Sequence, residues 1–221
     1  MMKKILFAIS SAVLISACGG GDTAPAAEKP KQDSVKSEVC TYSYDSSATT
    51  IGFGAFKFTE KKEVKGGFLK FTVDSTKEGS SPMEVFDKAT FKIDIASLDT
   101  KDAGRDFNIK SSFFGKMGST TFIIGKVKKV ILSTDTTPNP TVLVSLKLNN
   151  VEREILLTTD IQKGIELSLM GTINLNDFKA QKALSSLNTT CKDLHKGSDG
   201  KSVTWPEVRI YVSTTLKVNC K

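Results

Sequence analysis

Apolar and polar residues alternate with a period of two across most of residues 40–175, and the alternation returns close to the C-terminal end. A period of two puts every second side chain on one face of an extended chain, so the pattern predicts about eight half-buried β-strands. The positions that share the inward face are Ile51, Phe53, Phe68, Phe91, Ile93, Phe122, Leu146, Leu148, Leu167, Leu169, Val208 and Ile210. Strands with one apolar face need a common interior, as in a sandwich or a closed barrel, and the sequence therefore predicts an all-β fold.

Residues 176–195 interrupt this alternation, because their apolar side chains recur at helical spacing. The apolar positions are Ala180, Ala183, Leu184, Leu187, Cys191 and Leu194. They predict one amphipathic helix before the last strand, with Asp177 as its cap and Gly197 as its stop. A second, shorter helical segment is predicted over residues 102–114. Asn149-Asn150 predicts a turn between two strands, since asparagine tolerates a positive φ.

The first residues of the chain follow the order of a bacterial secretion signal. Lys3 and Lys4 precede a largely apolar run over residues 5–15, which is too short to cross a bilayer as a helix. Residues 15–18 place small side chains just before Cys18 and resemble the lipobox, at which a peptidase cuts and the cysteine is acylated. A plain signal peptide that happens to contain a cysteine is the alternative.

The segment that follows is rich in glycine, alanine and charged residues and shows no apolar period, which is typical of a flexible tether. We therefore expect a signal peptide over residues 1–17, an acylated cysteine with its tether over residues 18–39, and one domain over residues 40–221. Acyl chains would anchor the protein, because each buried methylene contributes about 0.8 kcal/mol.

Composition excludes several classes of function. The chain of 221 residues has a formal net charge of +7, but its basic residues are spread among acidic ones and form no basic run with interleaved aromatic residues. We therefore do not expect a nucleic-acid partner. The chain contains one histidine, His195, which excludes a metal site built from several histidines. Thirteen phenylalanines against three tyrosines indicate buried apolar surface.

Several stretches of the sequence, in order, resemble the YceI family of secreted, lipocalin-like barrels. They are Ile51-Gly52-Phe53 with residues 64–68, Ser97-Leu98-Asp99-Thr100 with Arg105-Asp106 and residues 110–114, residues 146–153, and residues 171–178. Each motif is loose by itself, and their order across residues 45–218 is the specific part of the resemblance.

This resemblance implies an antiparallel, eight-stranded, extended lipocalin-like barrel with one amphipathic helix before the last strand. It also implies a hydrophobic pocket for a long apolar ligand, such as a polyisoprenoid, a quinone or a fatty amide, with no other cofactor and no metal. The twelve inward positions would line that pocket, since a barrel of about eight strands holds one small ligand. The same positions would face inward in a filled barrel, so the alternation predicts the face and not the cavity.

Three further residues are candidates for the mouth of the pocket. Arg105 matches the family's arginine–aspartate motif and would hold a ligand headgroup, or else pair with local charges and fix its loop. Phe113 and Phe114 would gate the mouth, or else attach the loop to the barrel by apolar contact.

Cys191 and His195 are four residues apart in the predicted helix, so their side chains can share one face. Two ligands alone do not close a metal site, and no oxyanion motif or orienting partner supports a Cys–His nucleophile. A buried thiol or a disulfide partner is the preferred interpretation of Cys191.

Three cysteines remain once Cys18 is acylated, and three pairings among them are open. In an up-and-down barrel the first and last strands are antiparallel neighbours. Cys40 begins the first strand and Cys220 ends the last, so we predict a Cys40–Cys220 disulfide in an oxidising compartment.

Together these patterns predict a membrane-anchored binding protein that sequesters or carries a long apolar ligand and is not an enzyme. A filled barrel acting as a structural or interaction module is the alternative, and an enzyme using Cys191 and His195 is a third hypothesis. We expect a lipid anchor on the periplasmic side of the cell envelope, in the outer membrane of a Gram-negative bacterium. The resemblance also implies a homodimer, since dimers are known in the family.

Overall fold

A computed structural model describes residues 38–118, 121–133 and 139–221. The predictions for the signal peptide, for Cys18 and for the tether up to residue 37 lie outside the described residues. Within the described ranges, no helix is both long and apolar enough to cross a membrane.

The described residues contain twelve strands and two α-helices. The strands are β1 (Cys40–Ser43), β2 (Thr49–Lys57), β3 (Lys62–Phe68), β4 (Phe71–Asp74), β5 (Thr90–Asp94), β6 (Leu98–Asp99), β7 (Phe122–Ile131), β8 (Thr141–Leu148), β9 (Val151–Gln162), β10 (Glu166–Asn174), β11 (Thr204–Thr215) and β12 (Lys217–Cys220). The helices are α1 (Ala103–Asn108) and α2 (Gln181–Thr190). The prediction of an all-β fold with one principal helix is confirmed.

Ten of these strands form one antiparallel sheet in the order β4-β5-β7-β8-β9-β10-β11-β2-β3-β6. The remaining strands, β1 and β12, form a separate two-stranded ribbon in which Cys40 lies opposite Cys220. These two residues form a disulfide, as predicted, and Cys191 is the free, buried cysteine of the described residues.

The sheet has ten strands, whereas the alternation predicts eight, because two extended stretches are each interrupted. Leu69 and Lys70 separate β3 from β4, and the 3₁₀ turn Ile95–Ser97 separates β5 from β6. Backbone bonds continue across both gaps, from Leu69 N to Ser97 O (3.1 Å) and from Asp94 N to Lys70 O (3.0 Å). The two ends of the sheet are joined in this way, and the sheet curls around one interior.

The observed helix α2 is shorter than the predicted helix over residues 176–195. The preceding residues Leu175–Phe178 form a 3₁₀ turn, and Lys179 then adopts a positive φ of 53°, which separates that turn from the helix. Asp177 therefore does not cap α2, whose cap residue Ala180 makes no side-chain hydrogen bond. The helical spacing of apolar residues continues across Lys179, so the spacing alone does not reveal that the helix is interrupted there.

The predicted helical segment over residues 102–114 is confirmed as α1, followed by a π turn over Ile109–Phe113 and a 3₁₀ turn over Phe114–Lys116. Asp102 caps α1, because its carboxylate accepts a hydrogen bond from Arg105 N (2.9 Å). This irregular helical stretch packs with α2 and covers one end of the curled sheet.

The Asn149-Asn150 turn is also confirmed, with φ values of 51° and 58°. The Asn149 side-chain amide donates to Phe178 O (2.9 Å) and to Lys179 O (3.0 Å). The turn between β8 and β9 is thereby attached to the segment that leads into α2, which positions that helix over the interior.

Candidate functional site: an elongated apolar cavity

The curled sheet encloses a cavity of about 250 Å³. Both Thr204 and Thr214, at the two ends of β11, belong to its lining. They pair with Lys57 and Thr49 of β2, which are eight residues apart, a span of about 26 Å at the usual rise of a strand. A volume of this size distributed over that length describes a narrow channel, which suits a flexible chain better than a compact ring system.

Eleven of the twelve positions predicted to face inward line the cavity. They are Ile51, Phe53, Phe68, Phe91, Ile93, Leu146, Leu148, Leu167, Leu169, Val208 and Ile210. They come from strands on opposite sides of the curled sheet, and the strand register explains why they converge. Phe53, for example, lies directly opposite Ile210, so their side chains share one face. That these residues bind a ligand stays a prediction.

The structure places Phe122 on the outer face of β7, contrary to the expected parity. The Lys92 ammonium lies over its ring, 3.7 Å from the centroid. Ile123 and Val127 are the β7 residues that line the cavity, and Ile124 is 45% exposed. Because this strand begins with three successive apolar residues, alternation alone does not show whether Phe122 or Ile123 faces inward.

Phe113 and Phe114 lie at the helical end of the cavity and line it. Their rings contact each other edge to face with centroids 5.0 Å apart, and both side chains are buried. Leu184 and Leu187 of α2 complete this end. These leucines were predicted to be buried on the helix but not to line a ligand cavity.

Arg105 does not belong to the cavity lining. Its guanidinium lies 3.4 Å from the Asp102 carboxylate on the surface of α1. Its neighbour Asp106 accepts hydrogen bonds from Thr100 N (2.9 Å) and Thr100 Oγ1 (2.6 Å). The arginine–aspartate motif thus fixes the loop between β6 and α1, which was the local alternative, and the role of Arg105 at a headgroup stays a prediction.

Sequence reasoning missed the opposite end of the cavity, which is formed by residues outside the regular strands. Met83 and Phe86 belong to the 3₁₀ turn Pro82–Phe86, and Tyr44 precedes β2. A turn this short has too few residues to show a period, so no pattern could have assigned these side chains to the interior.

Cys191 and His195 have different partners in this structure: Asn108 lies beside the thiol, and Thr204 lies beside the imidazole. Cys191 follows the last residue of α2, and burial raises the pKa of its thiol. The hydroxyl of Thr204 donates to Asn188 Oδ1 (2.8 Å), so its oxygen accepts from His195 Nδ1 (2.6 Å). Burial and the nearby Lys57 ammonium lower the pKa of His195.

Within the residues described, no group of three or more histidine, cysteine, aspartate or glutamate side chains is placed to hold a metal ion. The chemistry that the cavity offers is burial of apolar surface, since its lining is almost entirely aliphatic and aromatic.

Residues 42–217 match the family described as YceI-like domain. A search of the curated proteins finds no match. Among solved structures, the fold is similar to a polyisoprenoid binding domain from Saccharophagus degradans implicated in plant cell wall breakdown, with a TM-score of 0.52 and 13% identity over 82% of this chain and 99% of that chain. It is also similar to BcnA from Burkholderia cenocepacia, with a TM-score of 0.51 and 16% identity over 80% of this chain and 99% of that chain. At sequence identities of 13% and 16%, these similarities show a shared fold.

Proposed function

The chain belongs to the YceI-like family, and from this premise we propose that it binds a long apolar ligand in the cavity and makes or breaks no bond in it. The observation that carries the proposal is the shape of the cavity, whose lining runs from Thr204 to Thr214 along the whole of β11. A polyisoprenoid, a quinone with an isoprenoid tail or a fatty amide fits that shape. The Saccharophagus degradans domain, which is described as polyisoprenoid-binding, supports the first of these classes.

The physical driving force would be removal of the ligand's hydrocarbon from water. Each square ångström of buried apolar surface contributes about 25 cal/mol, or about 0.8 kcal/mol per methylene. A tail of many methylenes therefore binds without a charged or catalytic group. A filled interior, the structural-module alternative, accounts less well for a cavity of about 250 Å³.

We further propose that Cys18 is acylated and anchors the protein to the periplasmic side of the cell envelope, at the outer membrane, through the tether over residues 18–39. The Cys40–Cys220 disulfide supports an oxidising compartment, because such bonds are rare in the reducing cytosol. Homodimer formation is part of the same proposal, as an expectation taken from the family.

Native mass spectrometry of the full chain, purified in mild detergent from bacterial membranes, tests this proposal. We expect a complex whose excess mass is released by organic solvent as a hydrophobic compound. Protein that is repeatedly empty, and that also fails to take up a long-tailed quinone or a fatty amide, would contradict it. A mass of the denatured chain that starts at an acylated Cys18 would support the anchor separately from the ligand.

A further inference from the structure

The helical segments that cover one end of the curled sheet hold most of the net positive charge of the domain. Residues 101–116 and 179–196 contain eight lysine or arginine residues and three aspartates, a net charge of +5. Residues 40–221 contain 26 basic and 20 acidic residues, which leaves a net charge of +1 for the rest of the domain. The two segments pack against each other through α2 and the turns that follow α1. We call this surface, residues 101–116 and 179–196, the basic cap.

Most of the charge on the basic cap is not neutralised by ion pairs. The Arg105 guanidinium lies 3.4 Å from the Asp102 carboxylate, and Lys101 pairs with Asp99. The cap lysines that make no ion pair with another described residue are Lys110, Lys116, Lys179, Lys182, Lys192 and Lys196. Unpaired ammonium groups gathered on one surface attract an anionic surface, such as that of a membrane with acidic headgroups.

Two large apolar side chains project into solvent from the same cap. Phe107 of α1 is 69% exposed, and Leu194, which lies beyond the end of α2, is 64% exposed. The two stretches that carry them are neighbours, because Asn108 lies beside the Cys191 thiol. Exposed phenylalanine and leucine side chains flanked by lysines are typical of surfaces that enter the headgroup region of a bilayer.

The basic cap also contributes to the lining of the cavity. Ile109, two residues after Phe107, and Leu187, seven residues before Leu194, line the cavity, whereas Phe107 and Leu194 face solvent. Apolar side chains therefore lie on both the inner and the outer surface of one layer of helix. A bilayer against the outer surface would place its hydrocarbon only the thickness of this layer from the cavity.

The chain that precedes the domain is long enough for the cap to reach the membrane that holds an anchor at Cys18. Val39 and Lys221 exchange two backbone hydrogen bonds (3.0 and 3.1 Å), so the chain enters the domain at the β1–β12 ribbon, away from the cap. Twenty residues separate Cys18 from Val39, and an extended chain of that length spans at most about 70 Å. This reach exceeds the span of about 26 Å between the two ends of the cavity.

A second copy of the chain fits the cap less well than a bilayer does. Two caps in contact would bring together two surfaces that each carry a net charge of +5, which disfavours their association. Phe107 and Leu194 are also single side chains, and they supply only a small part of the roughly 800 Å² per partner that a stable protein interface buries.

We propose that the basic cap docks on an anionic lipid bilayer, with Phe107 and Leu194 in the headgroup region and the unpaired lysines beside lipid phosphates, and that the ligand passes between bilayer and cavity at this end. The inference rests on the proposed binding function and adds the surface at which the ligand is exchanged. An anchor at Cys18 would keep the protein near the membrane, and the cap sets its orientation.

Hydrogen exchange of the full chain, mixed with lipid vesicles, tests the docking. The variant is Phe107→Ser/Leu194→Ser, and Leu69→Ser is the matched control, because Leu69 is also 69% exposed but lies between β3 and β4. We expect the amides of residues 103–116 and 192–196 to exchange more slowly on vesicles that contain phosphatidylglycerol than on pure phosphatidylcholine. This slowing should occur in the wild type and in Leu69→Ser and be lost in the double variant.

The lysines are tested by charge reversal. Lys110→Glu/Lys192→Glu should remove the slowing on phosphatidylglycerol vesicles, whereas Lys128→Glu/Lys129→Glu, the same change of charge at exposed residues of β7, should keep it. Salt at about 1 M, which shortens the Debye length to about 3 Å, should weaken docking of the wild type as well.

Transfer of a fluorescent long-tailed quinone from the vesicles to the protein provides the second measurement. Phe107→Ser/Leu194→Ser should slow the transfer about tenfold, because docking strength depends on the apolar area that enters the interface. Its affinity for the quinone, measured without vesicles, should equal that of the wild type, since neither residue lines the cavity.

Several outcomes would overturn the inference. Equal exchange or equal transfer in the double variant and the wild type overturns it while leaving the binding function intact. Slowing that depends on protein concentration and not on vesicles assigns the cap to a second copy of the chain and overturns it too. Docking without uptake of a quinone or a fatty amide overturns the proposed function, and the exchange of ligand at the cap with it.

Discussion

Phe91 lies directly opposite Gly125 in the β5–β7 pair, and its ring covers the place where a side chain at residue 125 would stand. A Cβ built on Gly125 would lie 2.6 Å from Phe91 Cε1 and 2.7 Å from Phe91 Cε2. The glycine therefore gives the Phe91 ring room to lie against the sheet while one face of it lines the cavity. The channel has its width at this point because residue 125 is a glycine and has no side chain.

Gly125→Ala should therefore destabilise the protein and narrow the channel together. The added methyl group forces the Phe91 ring away from the sheet and toward the cavity, at a cost of about 1–3 kcal/mol for overpacking. Urea unfolding would measure the loss of stability, and lipid uptake should fall in the same variant.

Gly104→Ala is the control, because Gly104 lies in α1 and the atom nearest to a Cβ built on it is 3.5 Å away. That change should be neutral or stabilise the helix by up to about 1 kcal/mol. Equal effects of the two substitutions would contradict the packing argument.

Regular strands could be predicted from the sequence, and irregular connections could not. In β8, Val142, Val144, Leu146 and Leu148 alternate with residues of the other face, and all four are buried and line the cavity. In β7 the three successive apolar residues that begin with Phe122 make both faces of the strand apolar, so they do not show which face is the inner one. Lys126 and Lys128 lie on the same face as Phe122 by alternation, and their charge was the signal that this face is the outer one.

The three hydroxyl-bearing residues at one end of the cavity could not be predicted from the sequence for a different physical reason. Tyr44, Thr49 and Thr214 are brought together by the pairing of β2 with β11 and by the 3₁₀ turn that precedes β2. A period assigns a residue to a face of its own strand, but it does not say which strands become neighbours. The Cys40–Cys220 bond was predictable because a barrel topology does make the first and last strands neighbours.

The Cys40–Cys220 disulfide should contribute a large part of the stability. It closes a loop with a sequence separation of 180, for which loop entropy predicts about 5 kcal/mol. The double variant Cys40→Ser/Cys220→Ser, or reduction of the wild type, should lower the urea midpoint strongly. In Cys191→Ala the effect of reductant should persist unchanged. Peptide mapping that found Cys191 bridged to either partner would show that the pairing is wrong.

Stability should fall on mild acidification because of His195. Burial and the Lys57 ammonium lower the pKa of His195 below its ordinary value of 6.5, so the unfolded chain binds this proton at a higher pH than the folded one. The contribution of neutral His195 to the free energy of unfolding is complete above about pH 6.5. It is lost as the pH falls below that value, until His195 of the folded protein is protonated too. His195 is the one histidine of the chain, and the carboxylates with lowered pKa titrate at more acidic pH.

The measurement is the melting temperature between pH 7.5 and 5, compared with that of His195→Gln. The variant should be less stable at pH 7.5, since it loses the bond to Thr204, but it should show a shallower decrease with acid. Parallel pH curves for the two proteins would assign the acid sensitivity to other groups.

The Cys191 thiol should react slowly with alkylating reagents in the native protein. Burial raises the pKa of this thiol, and the nearby Lys57 and Asn108 only partly oppose that increase. Because the thiolate is the reactive form, iodoacetamide at pH 7.5 should modify Cys191 at a rate limited by opening of the fold. In urea the rate should rise to that of an exposed cysteine. Rapid stoichiometric labelling of the folded protein would instead revive the hypothesis of a Cys191 nucleophile.

Blocking the channel from one strand provides the sharpest contrast between a hollow and a filled interior. Val212 lies between Leu169 and Ile51 in the register and lines the cavity, whereas the adjacent Ser213 is exposed on the other face of β11. In a hollow channel the indole of Val212→Trp occupies free space, so we expect a loss of stability below about 1 kcal/mol and loss of lipid uptake. Ser213→Trp places the same indole outside and should keep uptake. In a filled interior Val212→Trp would overpack the core and unfold the domain, with no lipid in either variant. Native mass spectrometry and urea unfolding of the two variants distinguish these outcomes.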